Sequence, residues 1–112
     1  VTVVAAPDPR CAHRADTAST MRFWAENVAH LKPGARVLAV TTQIYVPYQH
    51  AAALQHLALP FGVEVFTAGV DVTRLPPTGA PAQEFHAVHY LQEVRSTVQG
   101  FARLVAAIDA VR

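Results

Sequence analysis

The chain has 112 residues, 52% of them apolar and 15% charged, with a formal net charge of +1. That length suits one domain, the apolar fraction excludes a disordered chain, and the near-neutral charge excludes a general electrostatic pull toward nucleic acid or an anionic membrane. One cysteine, Cys11, excludes an internal disulfide framework and a multi-cysteine zinc site. It reads as a lone thiol in a polar loop, because no His-Asn/Asp partner set for a nucleophile is legible. No apolar run approaches the ~20 residues of a membrane span. No basic-then-apolar leader opens the chain, so a cytoplasmic protein is expected. The sequence starts at Val1 rather than at methionine, which suggests a processed or cut piece of something longer.

VTVVAA at Val1–Ala6 is a continuous apolar, β-branched run and predicts a strand buried on both faces. A polar loop with Arg10, His13 and Arg14 follows. Asp16 or Thr17 can then cap a helix. Met21, Trp24, Val28 and Leu31 recur at helical spacing and predict its buried stripe, which Lys32-Pro33-Gly34 ends. Arg36–Val40 predicts a second strand, and Pro47 the first turn of a helix over Pro47–Leu57. After the turn at Leu59–Gly62, Val63–Thr67 predicts a third strand. Ala68–Pro81 reads as a long loop, and loops of that length are often functional. The stretch from about Ala82 to Val111 predicts a long helix. Its apolar seam is Leu91, Val94, Val98, Phe101, Val105 and Ile108, and Gly100 within it implies close packing.

The predicted order is therefore β-α-β-α-β-α. It implies an α/β fold with a parallel sheet and right-handed crossovers, three-layered and Rossmann-like. Three strands leave long apolar edges, so the sheet is expected to be part of a larger one or to be covered by another chain.

In an open parallel sheet ligands bind beyond the carboxyl ends of the strands. Three loops should meet there: 7–16, 41–46 and 69–85. Thr41 and Thr42 end the second strand, and the next helix turns its free N–H groups and positive end to the same place, which favours an anion. Thr42, Gln43, Tyr45 and Tyr48 can add hydrogen bonds and a flat surface on which a nucleobase stacks. Asp71, after the third strand, can bind a ribose hydroxyl, act as a base or start a turn. Thr41 can instead serve as a cap, and the two tyrosines as packing residues. No G-x-G-x-x-G, G-x-x-x-x-G-K-[ST] or G-x-S-x-G motif is present. Arg10 and Arg14 can clamp a phosphate or remain solvated loop charges. His50 and His56 are six residues apart and share no face. His86, His89 and Glu93 are spaced to hold a metal on one helical face, or to be exposed and capping residues with an ordinary i,i+4 pair. No metal set is assigned, and no motif names a cofactor.

The order of motifs resembles the YdcF/SanA-like family, a domain of unknown function found widely in bacteria. RADTAST is loosely similar to that family's S-x-N-T-x-x-N-like motif, with Asp16 and Thr17 standing where the Asn-Thr stands. TTQIYVPYQ resembles its T-S-x-x-H-x-x-R, with Thr41 and Thr42 at the Thr-Ser pair, Tyr45 at the His and Tyr48 at the Arg. GVEVFTAGVD resembles its third strand, closing on an acid at Asp71. The likeness runs from Val1 to about Asp71. It implies a Rossmann-like fold with a polar pocket at the strand ends, a nucleotide-like or anionic ligand, and an N-terminal glycine-rich βα portion that is not seen here. Tyrosine, with a reference pKa of about 10, replaces neither a neutral-pH base nor a cation, which favours binding over the family's chemistry.

Three functions follow. The first is a small-molecule site built from Asp16, Thr17, Thr41, Thr42, Gln43, Tyr45, Tyr48 and Asp71. The second is an interaction or oligomerisation module, and the third a metal hydrolase through His86, His89 and Glu93.

Overall fold

The computed structural model describes residues 1–7, 15–74 and 84–112. Cys11, Arg10, His13, Arg14 and the second half of the 68–81 loop, from residue 75 on, lie outside them.

Asp16 opens α1 (Thr17–Trp24) as its cap: the Asp16 carboxylate accepts the Ser19 N–H at 2.7 Å and the Ser19 hydroxyl accepts the Asp16 N–H at 3.1 Å. The helix runs on through a wider, π-helical turn (Ala25–Ala29) and stops at His30, whose φ is 48°. Strand β1 (Arg36–Thr42) leads through a tight turn (Gln43–Tyr45) into α2 (Val46–Ala53). A second π-helical turn (Leu54–Ala58) and the short α3 (Leu59–Phe61) carry the chain to Gly62, at φ 64°. Strand β2 (Glu64–Val70) pairs in parallel with β1, Arg36 beside Glu64 and Thr42 beside Val70. The C-terminal helix is α4 (Ala87–Ala110).

Alternation along the two strands gives the sheet two unlike faces. Val37, Ala39 and Thr41, with Val65 and Thr67, face the helices, where His50 Nδ1 lies 3.0 Å from Thr67 Oγ1. Val37, Ala53, Leu57, Val63 and Ala25 form the core, with Met21, Leu31, Ala35, Phe61 and Val65 packed on it. The other face carries Leu38, Val40 and Phe66, all exposed, and the Arg36–Glu64 ion pair at 3.7 Å. Helix α1 packs on the 54–58 turn and α4 on α2, so the described helices lie on one side of the sheet.

This corrects the expected fold class. The protein is mixed α/β, but the described residues hold a two-stranded sheet, and the three-layer β-α-β-α-β-α arrangement is not formed. Val1–Ala6 makes no strand. It lies near the outer edge of β1, where Thr2, Val4 and Ala6 share a groove with Met21, Trp24 and Leu38. A β-branched run becomes a strand when a neighbour buries its side chains, and Val1, Val3 and Val4 are exposed.

Two helical stripes also differ from expectation. Ala25, one ordinary turn after Met21, is the fully buried residue, while Trp24 and Val28 are over one-third exposed; the π-helical turn at Ala25–Ala29 changes the register only beyond that point. On α4 the buried residues are Gly100 and Leu104, and the predicted seam from Leu91 to Val105 is exposed. No helix among the described residues is long and apolar enough to cross a membrane.

Candidate functional site

The carboxyl end of β2 approaches the helix layer closely at Gly69. A side chain on Gly69 would place its Cβ 2.9 Å from Gln43 Cα and from Val46 Cγ2. Absence of that side chain lets the start of the 43–46 turn sit directly on the end of β2. The first N–H groups of that turn have no preceding helical carbonyl, and Pro47 lacks one without loss.

Beyond Val70 the chain turns at Asp71. Its Oδ1 accepts the Thr73 hydroxyl at 2.6 Å and the Thr73 N–H at 3.0 Å, and its Oδ2 pairs with Arg74 Nε at 3.2 Å. Those bonds, the Thr73 hydroxyl foremost, hold the carboxyl below its usual range, so Asp71 stays ionised.

A cleft of about 680 Å³ opens here between the strand ends and α4. Thr42, Gln43, Ile44, Pro47 and the 70–73 segment form one wall, and Phe85, Tyr90, Glu93, Val94, Thr97 and Val98 the other. Phe85 anchors the aromatic part of that second wall, edge-on to Tyr45 at 5.9 Å and to Tyr90 at 6.5 Å. Glu93 is the unusual member. Its Oε2 is shielded from solvent and has no hydrogen-bond partner among the described residues. Loss of water pushes its carboxyl pKa up. The described lining thus holds two carboxyl groups in opposite circumstances and no lysine or arginine.

No protein-family profile matches the chain, and no solved structure matches it. It is 39% identical over 111 residues to an uncharacterized protein of Mycobacterium bovis, and equally so to uncharacterized proteins of two Mycobacterium tuberculosis strains. Each match covers 98% of this chain, which spans 30% of the length of those relatives.

Of the residues expected in the site, Thr42, Gln43 and Asp71 line the cleft together. Tyr45 reaches it through Phe85. Thr41 does not line it, because alternation turns it to the helix-covered face beside Gly69. Tyr48 packs under α4, its Cδ2 3.3 Å from where a Gly100 Cβ would stand. Asp16 and Thr17 belong to the start of α1 and do not line the cleft. The aliphatic and aromatic wall of α4 was not anticipated as site. Its one legible signal is the acid at Glu93, open in the sequence between a metal ligand and an ordinary i,i+4 partner of His89.

The metal set is not assembled. His86 caps α4, and its N–H donates to His89 Nδ1 at 2.9 Å, which occupies that lone pair. Among the described residues no three His, Cys, Asp or Glu side chains are placed to hold a metal ion.

Proposed function

We propose that this chain binds a small nucleoside-like ligand, in a cytoplasmic setting, at the carboxyl ends of β1 and β2. The observation that carries the reading is the composition of the cleft. Val94, Val98, Phe85 and Tyr90 offer an apolar and aromatic wall for a flat ring, and Asp71 and Glu93 offer acceptors for hydroxyl or amino hydrogens. The start of the 43–46 turn supplies N–H groups for a phosphate. Without a lysine or arginine in the described lining, a phosphate adds less than the ring and sugar do. The resemblance to the YdcF/SanA-like family, with its pocket at the strand ends, points the same way and is part of the proposal. Binding rather than catalysis fits the tyrosines at the family's His and Arg positions.

A thermal-shift series tests it. Adenosine, adenosine monophosphate, S-adenosylmethionine, a sugar phosphate and zinc are each added at millimolar concentration. A ligand that binds the native state raises the melting temperature by mass action. Adenosine and its monophosphate are expected to raise it, and Thr42→Ala and Asp71→Asn to reduce that rise. A cooperative melt that none of the nucleosides moves overturns the reading.

A further inference from the structure

Helix α4 presents Leu91, Val94, Val98, Phe101 and Val105 at alternating spacings of three and four. Leu91 is 70% exposed, Val94 62%, Val98 66% and Val105 56%. The helix is held to the protein through a different side, where Gly100 abuts Tyr48 and Leu104 is buried. Isolated exposed aliphatic residues are ordinary, but a continuous row over roughly 21 Å of helix marks a surface that something covers. The three-four alternation is that of a helix buried lengthwise against a partner rather than touched at one point.

A second apolar surface, Leu38, Val40 and Phe66, lies on the sheet face turned away from the helices. A second copy joined through one two-fold contact covers a single patch and leaves the other bare. Additional chain can reach both. The relatives supply the measure of it: this chain aligns over 98% of its own length but 30% of theirs.

We infer that the α4 stripe is an internal docking surface, covered lengthwise by further chain in a protein of the relatives' length. The inference does not rest on the ligand, and chain seated along the stripe would also close the cleft at Val94 and Val98. Val94 and Val98 also line the cleft, so its test uses Leu91 and Val105, which do not. Leu91→Lys and Val105→Lys are made together in the 112-residue chain and in the longer chain encoded by the surrounding reading frame, and melting temperatures are compared. In the short chain both positions face water, and the melting temperature is expected to stay within about a degree. In the longer chain two buried, unpaired ammonium groups lower it by several degrees or prevent folding. Preparing Leu91→Ala and Val105→Ala in the longer chain gives a milder loss that stays measurable. The inference fails if the two chains respond alike, or if the reading frame contains no further chain. It fails too if the short chain sediments as a dimer that the lysines dissociate, which would make a second copy the occupant.

Discussion

Asp71 and Glu93 face the same cleft, yet their surroundings push their carboxyl groups in opposite directions. Asp71 is bonded by Thr73 and Arg74, while Glu93 has lost water and found no partner among the described residues. A carboxyl whose folded pKa lies above its unfolded value keeps its proton longer when folded. At a pH below the unfolded value of about 4.3 both states are protonated and Glu93 costs nothing. As the pH rises through the folded value, that stability is lost. Glu93→Gln should therefore melt higher than the parent at pH 7 and level with it at about pH 4. Circular dichroism melts at the two values check this, and an offset of equal size at both pH values refutes it. Residues differed in how far they could be read beforehand. Asp71, Thr42 and Gln43 could be placed because strand ends and the acid after a strand follow from apolar runs alone. Thr41 and Thr42 looked equivalent as a pair, but the period of two along a strand sends neighbours to opposite faces. Glu93 was visible as an acid, whereas its isolation arises only when α4 closes over the strand ends.

Elements were legible where local pattern and tertiary burial agree. Strand β1 begins at the expected Arg36, and β2 begins one residue after the expected Val63. Both run on past their predicted ends, to Thr42 and Val70, since a ladder continues as long as partners are in register. Val1–Ala6 has the same apolar character but no ladder, and the helix that α1 begins runs on into a π-helical turn that no residue type announces. One close approach between elements is also one that composition hides. Gly69 reads as a loop residue, yet it is the strand position on which the helix start rests. Gly69→Ala drives a Cβ to 2.9 Å from the Gln43 backbone, and overpacking of this kind costs about 1–3 kcal/mol. Gly100→Ala is the contrasting case. Its Cβ would meet the Tyr48 ring at 3.3 Å, and a small ring displacement is set against the ~1 kcal/mol that alanine contributes inside a helix. Urea unfolding should show a clearly lower midpoint for Gly69→Ala at unchanged slope, and a much smaller change for Gly100→Ala. Equal losses for the two would mean that the 43–46 turn moves aside freely.

For the whole molecule, the arrangement of burial predicts where it opens first. The core is small and built largely of alanine, valine and leucine: Ala25, Ala51, Ala52, Ala53, Val37, Leu57, Val63 and Leu104 are its buried apolar residues. Most of them lie on β1, α2 and the segments joining α2 to β2. Helix α4, the longest element, buries just Gly100 and Leu104 and carries most of its apolar side chains toward water. The spacing of the seam reports that a face will be covered but not by what. Stability should then be graded. Amides of Val37–Val40, Val65–Ala68 and Ala51–Leu57 should exchange slowest, at rates set by global unfolding. Those of Ala87–Val98 open locally and should exchange faster. The half of α4 around Gly100–Leu104 belongs between them, held by Tyr48 and Ala51. Native-state hydrogen exchange followed by NMR or by mass spectrometry resolves the three groups. In the 112-residue chain, protection of Ala87–Val98 equal to that of β1 would show that the exposed stripe already has an occupant. The same measurement on the longer chain should raise the protection of that half of α4 selectively, because burial of Leu91 and Val94 makes their opening part of the global transition.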